Sequence, residues 1–315
     1  MRIVAFGGGT GLSASLRALR AIPASFDITA IVTVGDNGGS SGRLRLDRGA
    51  LPPGDLRQAL AALSDDDPVS RRTADLFQHR FAGTDALAGH PVGNIVLLGL
   101  MEQFGDPVVA LEHAAAMVRA QGRVLPMCRL PVTLEADIRG GHPARPGDLV
   151  TVQGQHEIAV SPGDIEVVRL LPPAPQACPE AVAAVLSADW LLFGPGSWYT
   201  SVIPHLLVPE LAAAVVKTRA KRLITLNLAA EGETGGLSLA DHLGALTRYL
   251  PDFRADIVLA DGDAVEDPAT VGAAARSLGA RLALDRLAVG RGVPRHDPPA
   301  LASALEPLLG AGKPE

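Results

Sequence analysis

The residues best suited to chemistry in this chain are glycines and the polar side chains seated among them. Ile3-Val4-Ala5-Phe6 is a short apolar run that passes directly into Gly7-Gly8-Gly9-Thr10-Gly11. Leu12, Leu16 and Leu19 then recur at helical spacing. This reads as a buried strand turning on glycine into a helix. Without Cβ atoms the turn can take positive φ and let a ligand approach the backbone. The helix directs unpaired N–H groups and its positive end at the turn, so an anion is the natural occupant. Gly8, Gly9, Thr10 and Gly11 would donate main-chain N–H groups, and the Thr10 hydroxyl a further bond. The run is not Gly-x-Gly-x-x-Gly, because Leu12 replaces the third glycine, and no Lys-Ser/Thr pair makes it a P-loop. The local chemistry supports a nucleotide or phosphosugar.

Two further glycine loops follow strand-like runs. The β-branched stretch 28–34 ends in Gly35-Asp36-Asn37-Gly38-Gly39-Ser40-Ser41-Gly42-Arg43-Leu44-Arg45. Asp36 could hold a metal ion or a ribose hydroxyl, Ser40 and Ser41 offer hydroxyls, and Arg43 and Arg45 could neutralise phosphate. The stretch 189–193 ends in Gly194-Pro195-Gly196-Ser197-Trp198-Tyr199-Thr200-Ser201. In an open parallel sheet such loops gather at the strands' carboxyl ends, where ligands bind. Backbone donors suit a diphosphate, whereas a sugar or base needs side-chain hydrogen bonds, for which Asn94 and Ser197 are candidates. Arg43 or Arg295 would supply positive charge. His90 is a candidate base, although a histidine ahead of a helix is more often structural.

The elements that must position these residues form an α/β pattern. After the second glycine loop, helices are expected at 55–63, 68–81, 95–104 and 106–119. The character then changes: short β-type runs at 124–127, 131–138, 149–152, 157–160 and 165–170 alternate with glycine and proline turns. This stretch, 123–171, reads as an antiparallel subregion inserted between two α/β parts, 1–122 and 172–315. Strand–helix alternation returns from 179 onward and closes with a helix over 298–309.

Bulk properties limit the functions open to the chain. It has 315 residues, 47% apolar and 20% charged, enough for a large core. A net charge of −6 gives no overall pull toward nucleic acid. Cys128 and Cys178 stand alone, with no zinc-ligand spacing. The first residues run straight into a strand, and no apolar stretch reaches membrane-spanning length. A cytoplasmic location without membrane insertion is expected.

Several motifs together resemble one family. They are Gly7–Gly11 with Leu12-Ser13, the run from Gly38 to Arg45, Pro53-Gly54-Asp55-Leu56-Arg57, and Gly89-His90 with Gly93-Asn94. Gly194 to Ser201, Gly232-Glu233-Thr234 with Asp241-His242, and Arg295-His296-Asp297 complete the set, in order along nearly the whole chain. In these the chain resembles the YvcK-like gluconeogenesis factors, which share a superfamily with the 2-phospho-L-lactate transferase CofD. The resemblance implies a Rossmann-like, mostly parallel sheet flanked by helices, a cytoplasmic location and a homo-oligomer. It implies a ligand that is a UDP-sugar such as UDP-N-acetylglucosamine, and a role in carbon metabolism, cell-wall synthesis and cell shape. The ligand would be held by the three glycine loops, including Asp36, Asn37, Gly39, Gly194, Gly196 and Thr200. The CofD branch instead implies a magnesium-dependent transferase that uses a guanine nucleotide such as GDP. Asp36 would be its metal ligand, and Asn37 stands where many relatives carry a second Asp.

Overall fold

The computed structural model describes residues 1–141, 147–229 and 237–310. β1 (Arg2–Gly7) is buried along nearly all its length and hydrogen-bonds in parallel to strands on both sides. On one side lies β2 (Asp27–Val32), reached through α1 (Gly9–Ala21). β2 is followed by five helices: α2 (Gly39–Arg48), α3 (Pro53–Leu63), α4 (Pro68–Gln78), α5 (Val92–Phe104) and α6 (Pro107–Met117). They return the chain to β3 (Arg123–Pro126), which extends the sheet in parallel beyond β2.

The stretch 124–127, expected in the antiparallel subregion, therefore belongs to the main sheet. Hydrophobic burial against β2 and the helices decides this, and a four-residue run cannot announce its partner. The small sheet is β5–β4–β6, built from β4 (Thr133–Arg139), β5 (Leu149–Gln153) and β6 (Asp164–Leu171), all antiparallel. Its alternating half-buried pattern on β4 is that of a sheet with one wet face. Residues 157–160, expected as a strand, lie in α7 (Gln155–Val160). Gly154 at φ +106° ends β5, and the new turn is pinned by Asn37, whose Oδ1 accepts from the His156 N–H at 3.0 Å.

After α8 (Pro179–Ser187), β7 (Trp190–Phe193) pairs with the opposite edge of β1. Irregular helical turns over Trp198–Val202 and Ile203–Leu207 precede α9 (Pro209–Lys217). The sheet continues outward through β8 (Lys221–Thr225), α10 (Leu239–Tyr249), β9 (Ile257–Asp261), α11 (Pro268–Ser277) and β10 (Arg281–Asp285). α12 (Pro298–Gly310) then packs back on α1. The strand order is β10-β9-β8-β7-β1-β2-β3, so successive strands run one way from β1 and then the other. The order reverses between β1 and β7, the position where such sheets open a ligand crevice.

Aromatic packing fixes that centre. Phe6 and Phe193, on adjacent strands, stack with centroids 4.7 Å apart, and Phe253 meets Phe193 edge-on at 5.2 Å. Asp67, Asp106 and Asp267 cap α4, α6 and α11, each followed by proline at the first helical position. Each such cap contributes about 1 kcal/mol. Among the described residues no single helix is long and apolar enough to cross a membrane.

Candidate functional site

The crevice at the β1/β7 reversal is a cavity of about 740 Å³. Gly8, Gly9, Thr10 and Gly11 form its floor, with Gly196 and Ser197 of the third glycine loop beside them. Arg17 of α1, Asp55 and Gln58 of α3, Gln78 of α4 and Gln155 of α7 contribute to the lining. Asn227, Leu228 and the segment from Pro294 to Pro298, which includes Arg295, complete it.

The first and third loops are fitted to one another. A Cβ on Gly11 would collide with the Pro195 carbonyl oxygen and stand 2.7 Å from the Gly196 Cα. Only glycine permits that approach. The Ser15 hydroxyl donates to the Gly194 carbonyl at 3.1 Å. From the far side, Asn227 closes a two-bond ring on Gly196: its Oδ1 accepts from the Gly196 N–H at 2.9 Å, and its Nδ2 donates to the Gly196 carbonyl at 3.0 Å. Gly194 thus serves packing, and Thr200 is buried in the helical turn behind Ser197.

Gly9 opens α1 at φ +57°, which glycine adopts without strain. Its N–H group already serves the buried carboxyl of Asp55. The anion cradle is therefore smaller than the sequence suggests: Thr10 and Gly11, whose first-turn N–H groups have no intrahelical acceptor, remain for a ligand. Burial pushes the Asp55 carboxyl up to about 7, and the negative field of Asp36 adds to this. Gln58, one helical turn further along α3, reaches the same carboxyl at 3.5 Å. The position of Asp55 in the first turn of a helix disguises it in the sequence as an ordinary first-turn acid.

The second glycine stretch does not form a loop over the cavity. From Gly39 it is helical, and its hydroxyls turn inward. Ser40 Oγ lies 2.8 Å from His90 Nδ1 and accepts from Asn94 Nδ2 at 2.9 Å. Asn94 Oδ1 accepts in turn from Arg57 Nε at 2.9 Å, and Arg57 Nη1 donates to Gln78 Oε1. Ser41 accepts from the Gly54 N–H at 3.0 Å, and Arg43 donates to the Ala88 carbonyl at 2.9 Å. Asn37 ties α7 down through His156 and Glu157. Asp36 accepts from the Gly38 N–H at 2.8 Å and faces Asp55 electrostatically. Among the expected site residues, Asp36, Asn37, Gly39, Ser40, Ser41, Arg43 and Asn94 form the wall behind the cavity rather than its lining. The physical reason is burial: hydroxyl and amide groups enclosed by α2, α3 and α5 must satisfy one another. The lining residues Arg17, Gln58, Gln78, Gln155 and Asn227 carry no motif, since a single polar residue on a helix or strand end has no sequence signature. The Gly232-Glu233-Thr234 motif lies outside the described residues.

Comparison with known proteins agrees with this architecture. The sequence model of the family described as "2-phospho-L-lactate transferase CofD" matches residues 3–287. A gluconeogenesis-factor homologue of Mycobacterium tuberculosis is 46% identical over 320 residues, spanning 99% of this chain and 92% of its own. The "Gluconeogenesis factor" of Bacillus subtilis is 39% identical over 267 residues, covering 84% of this chain and 80% of its own. A crystal structure of a UPF0052-family protein from Bacillus halodurans superimposes with a TM-score of 0.83 at 34% identity, covering 96% of this chain and 98% of that one. With a parallel sheet reversing at β1/β7 and these full-length likenesses, the chain belongs to the CofD family, among its gluconeogenesis-factor members.

Proposed function

We propose that this protein is a cytoplasmic sugar-nucleotide-binding protein, with a UDP-sugar such as UDP-N-acetylglucosamine as its ligand, acting in carbon metabolism, cell-wall synthesis and cell shape. The observation that carries this reading is the cavity at the β1/β7 reversal, which joins a helix N-terminus to two arginines and a polar wall. The Thr10 and Gly11 N–H groups and the Thr10 hydroxyl hold the diphosphate, and Arg17 and Arg295 balance its charge. The amide side chains around the rim suit hydroxyls and ring N–H groups. Calorimetric titration with UDP-N-acetylglucosamine is the test; saturation with GDP and no heat with UDP-sugars refutes it. Gly9→Val, which forces a β-branched residue into positive φ at the cradle, should abolish binding while the thermal transition stays cooperative. A homo-oligomer is part of the same proposal and is read from the mass in light scattering.

A second reading, a magnesium-dependent transferase of a phospholactyl-type group, is favoured by one observation. Asp55 on the cavity lining and Asp36 in the wall behind it oppose each other electrostatically, a repulsion that a divalent cation relieves. Magnesium fits this donor set. Among the described residues no group of three or more acidic, histidine or cysteine ligands exists, and magnesium commonly takes one or two carboxylates with water and phosphate oxygens. Asp36 and Asp55 would hold it, and it would neutralise charge on the phosphate oxygens. Magnesium-dependent turnover of a nucleotide-activated acid that disappears in Asp36→Ala would establish this reading; its absence would dismiss it.

A further inference from the structure

α5 is apolar on two faces. Leu97, Leu98 and Met101 are buried on the side that packs into the protein. On the other side Val92, Val96, Gly99 and Gln103 follow one another at spacings of four, three and four, the seam of a helix that packs along another helix. Ile95 and Leu100 flank that seam. Among the described residues no helix covers it: its residues are half-buried or exposed and line an open groove of about 400 Å³. His113 and Met117 of α6, together with Phe81, complete the groove, and no charged side chain lines it. Val109, one turn before His113 on α6, extends the exposed apolar surface. A helix that is apolar all round belongs in an interior, and α5 lacks a cover on one side.

Gly99 sits in the middle of the seam. Glycine inside a helix is destabilising, so a helical glycine calls for a close neighbour. Gly93 of the same helix has one: a Cβ there would stand 2.8 Å from Phe77 Cδ1 of α4. A Cβ on Gly99 would meet nothing within 4 Å. Packing within this chain therefore gives no reason for the second glycine, whereas a helix approaching from outside does. The ends of α5 also differ in charge. Arg80 pairs with Pro91 at the start of the helix, and Glu102 stands in its last turn, exposed and 3.5 Å from Arg48.

We infer that this face is where two copies of the chain associate, with α5 of one running antiparallel to α5 of the other. The inference deepens the homo-oligomer part of the reading above and does not depend on the ligand. A second copy fits because the face is complementary to itself in size and in charge. A two-fold axis passing between Leu97 and Leu98 sets Val96 against Gly99 of the partner subunit, so a branched side chain fills the space the glycine leaves. The same axis sets Val92 against Gln103 of the partner subunit. It also brings the Arg80 end of each helix to the Glu102 end of the other, whereas a parallel pair would bring like charges together. Asn94, on the inward side of α5, holds Arg57 and Ser40 in the wall behind the cavity. The contact between copies and that wall are thus two sides of one helix.

The test is the mass of the full chain by sedimentation and light scattering over a range of concentrations, in wild-type protein and variants. Gly99→Val sets a branched side chain against Val96 of the partner subunit and should weaken association about tenfold or more. In the single chain the same substitution meets open space and replaces a poorer helix former, so the denaturant midpoint of the dilute variant should not fall below that of dilute wild-type protein. Val96→Gly combined with Gly99→Val exchanges the filled and empty positions on both copies and should recover most of the association. Arg80→Glu and Glu102→Arg should each weaken self-association, and a mixture of the two should form a heterodimer. Wild-type protein that stays monomeric at tens of micromolar overturns both this interface and the homo-oligomer reading, and leaves the groove to a different macromolecule. An oligomer whose association Gly99→Val does not change overturns the interface alone. An exchanged variant that unfolds cooperatively but remains monomeric overturns the antiparallel register.

Discussion

Asp55 offers the sharpest quantitative test of the site. Its carboxyl is enclosed between α3 and the first glycine turn, accepts from the Gly9 N–H and sits in the field of Asp36. Burial first, and Asp36 second, raise it from 3.8 to about 7. The native chain therefore holds this proton more tightly than the unfolded chain. The stabilisation is full below about pH 4 and is lost as pH rises through about 7. A carboxyl raised that far favours its protonated form in the native chain by about 4 kcal/mol. In Asp55→Asn the amide oxygen can still accept from Gly9, but there is no proton to lose. The measurement is a set of denaturant unfolding curves for both proteins between pH 4 and 8, with chelator present so that no cation masks the charge. Titrating groups that do not interact with Asp55 cancel in the comparison, leaving Asp55 with its coupled neighbours Asp36 and Arg57. The variant should gain on the wild-type protein by about 4 kcal/mol across that range, most steeply between pH 4 and 7. A difference that stays constant with pH would refute the burial argument, and with it the claim that Asp55 shares the cradle with an incoming anion.

Three further outcomes follow from the geometry. Gly11→Ala places a methyl group against the Pro195 carbonyl and should cost about 1–3 kcal/mol in chemical denaturation while abolishing nucleotide binding. Arg295→Ala, at an exposed position on the cavity rim, should leave the melting temperature within a degree or two and weaken nucleotide affinity about tenfold or more by titration calorimetry. Ser40→Ala strips His90 and Asn94 of a shared partner and should cost about 1–3 kcal/mol of stability, with nucleotide affinity within about threefold of wild type. A large loss of affinity with unchanged stability in that variant would return Ser40 to the ligand.

The first glycine turn is legible in the sequence because its signal is local: an apolar run, glycines without side chains and a leucine-spaced helix lie within about twenty residues of one another. The third loop is legible for the same reason, and its backbone does line the cavity at Gly196 and Ser197. The second stretch misleads because glycine, serine and arginine in a row describe an exposed loop and a helix N-terminus equally well. Here α2 packs near α3 and α5, and the hydroxyl of Ser40 finds Asn94 from more than fifty residues away. His90 keeps the structural role expected of a histidine ahead of a helix, paired with Ser40 rather than with the cavity.

By itself the sequence determined the alternation of strands and helices, the glycine turn at the end of β1, and a family resemblance spread over the whole chain. Those properties depend on neighbours in sequence, on hydrophobic period and on residues that permit particular backbone angles. Tertiary structure alone decided that 124–127 joins the parallel sheet, that Asp55 takes the Gly9 N–H group at the first glycine turn, and that Gln155 and His296 line one cavity. Each of these rests on burial and on hydrogen bonds between segments far apart in the chain, whose free energies exist only once the segments are packed together.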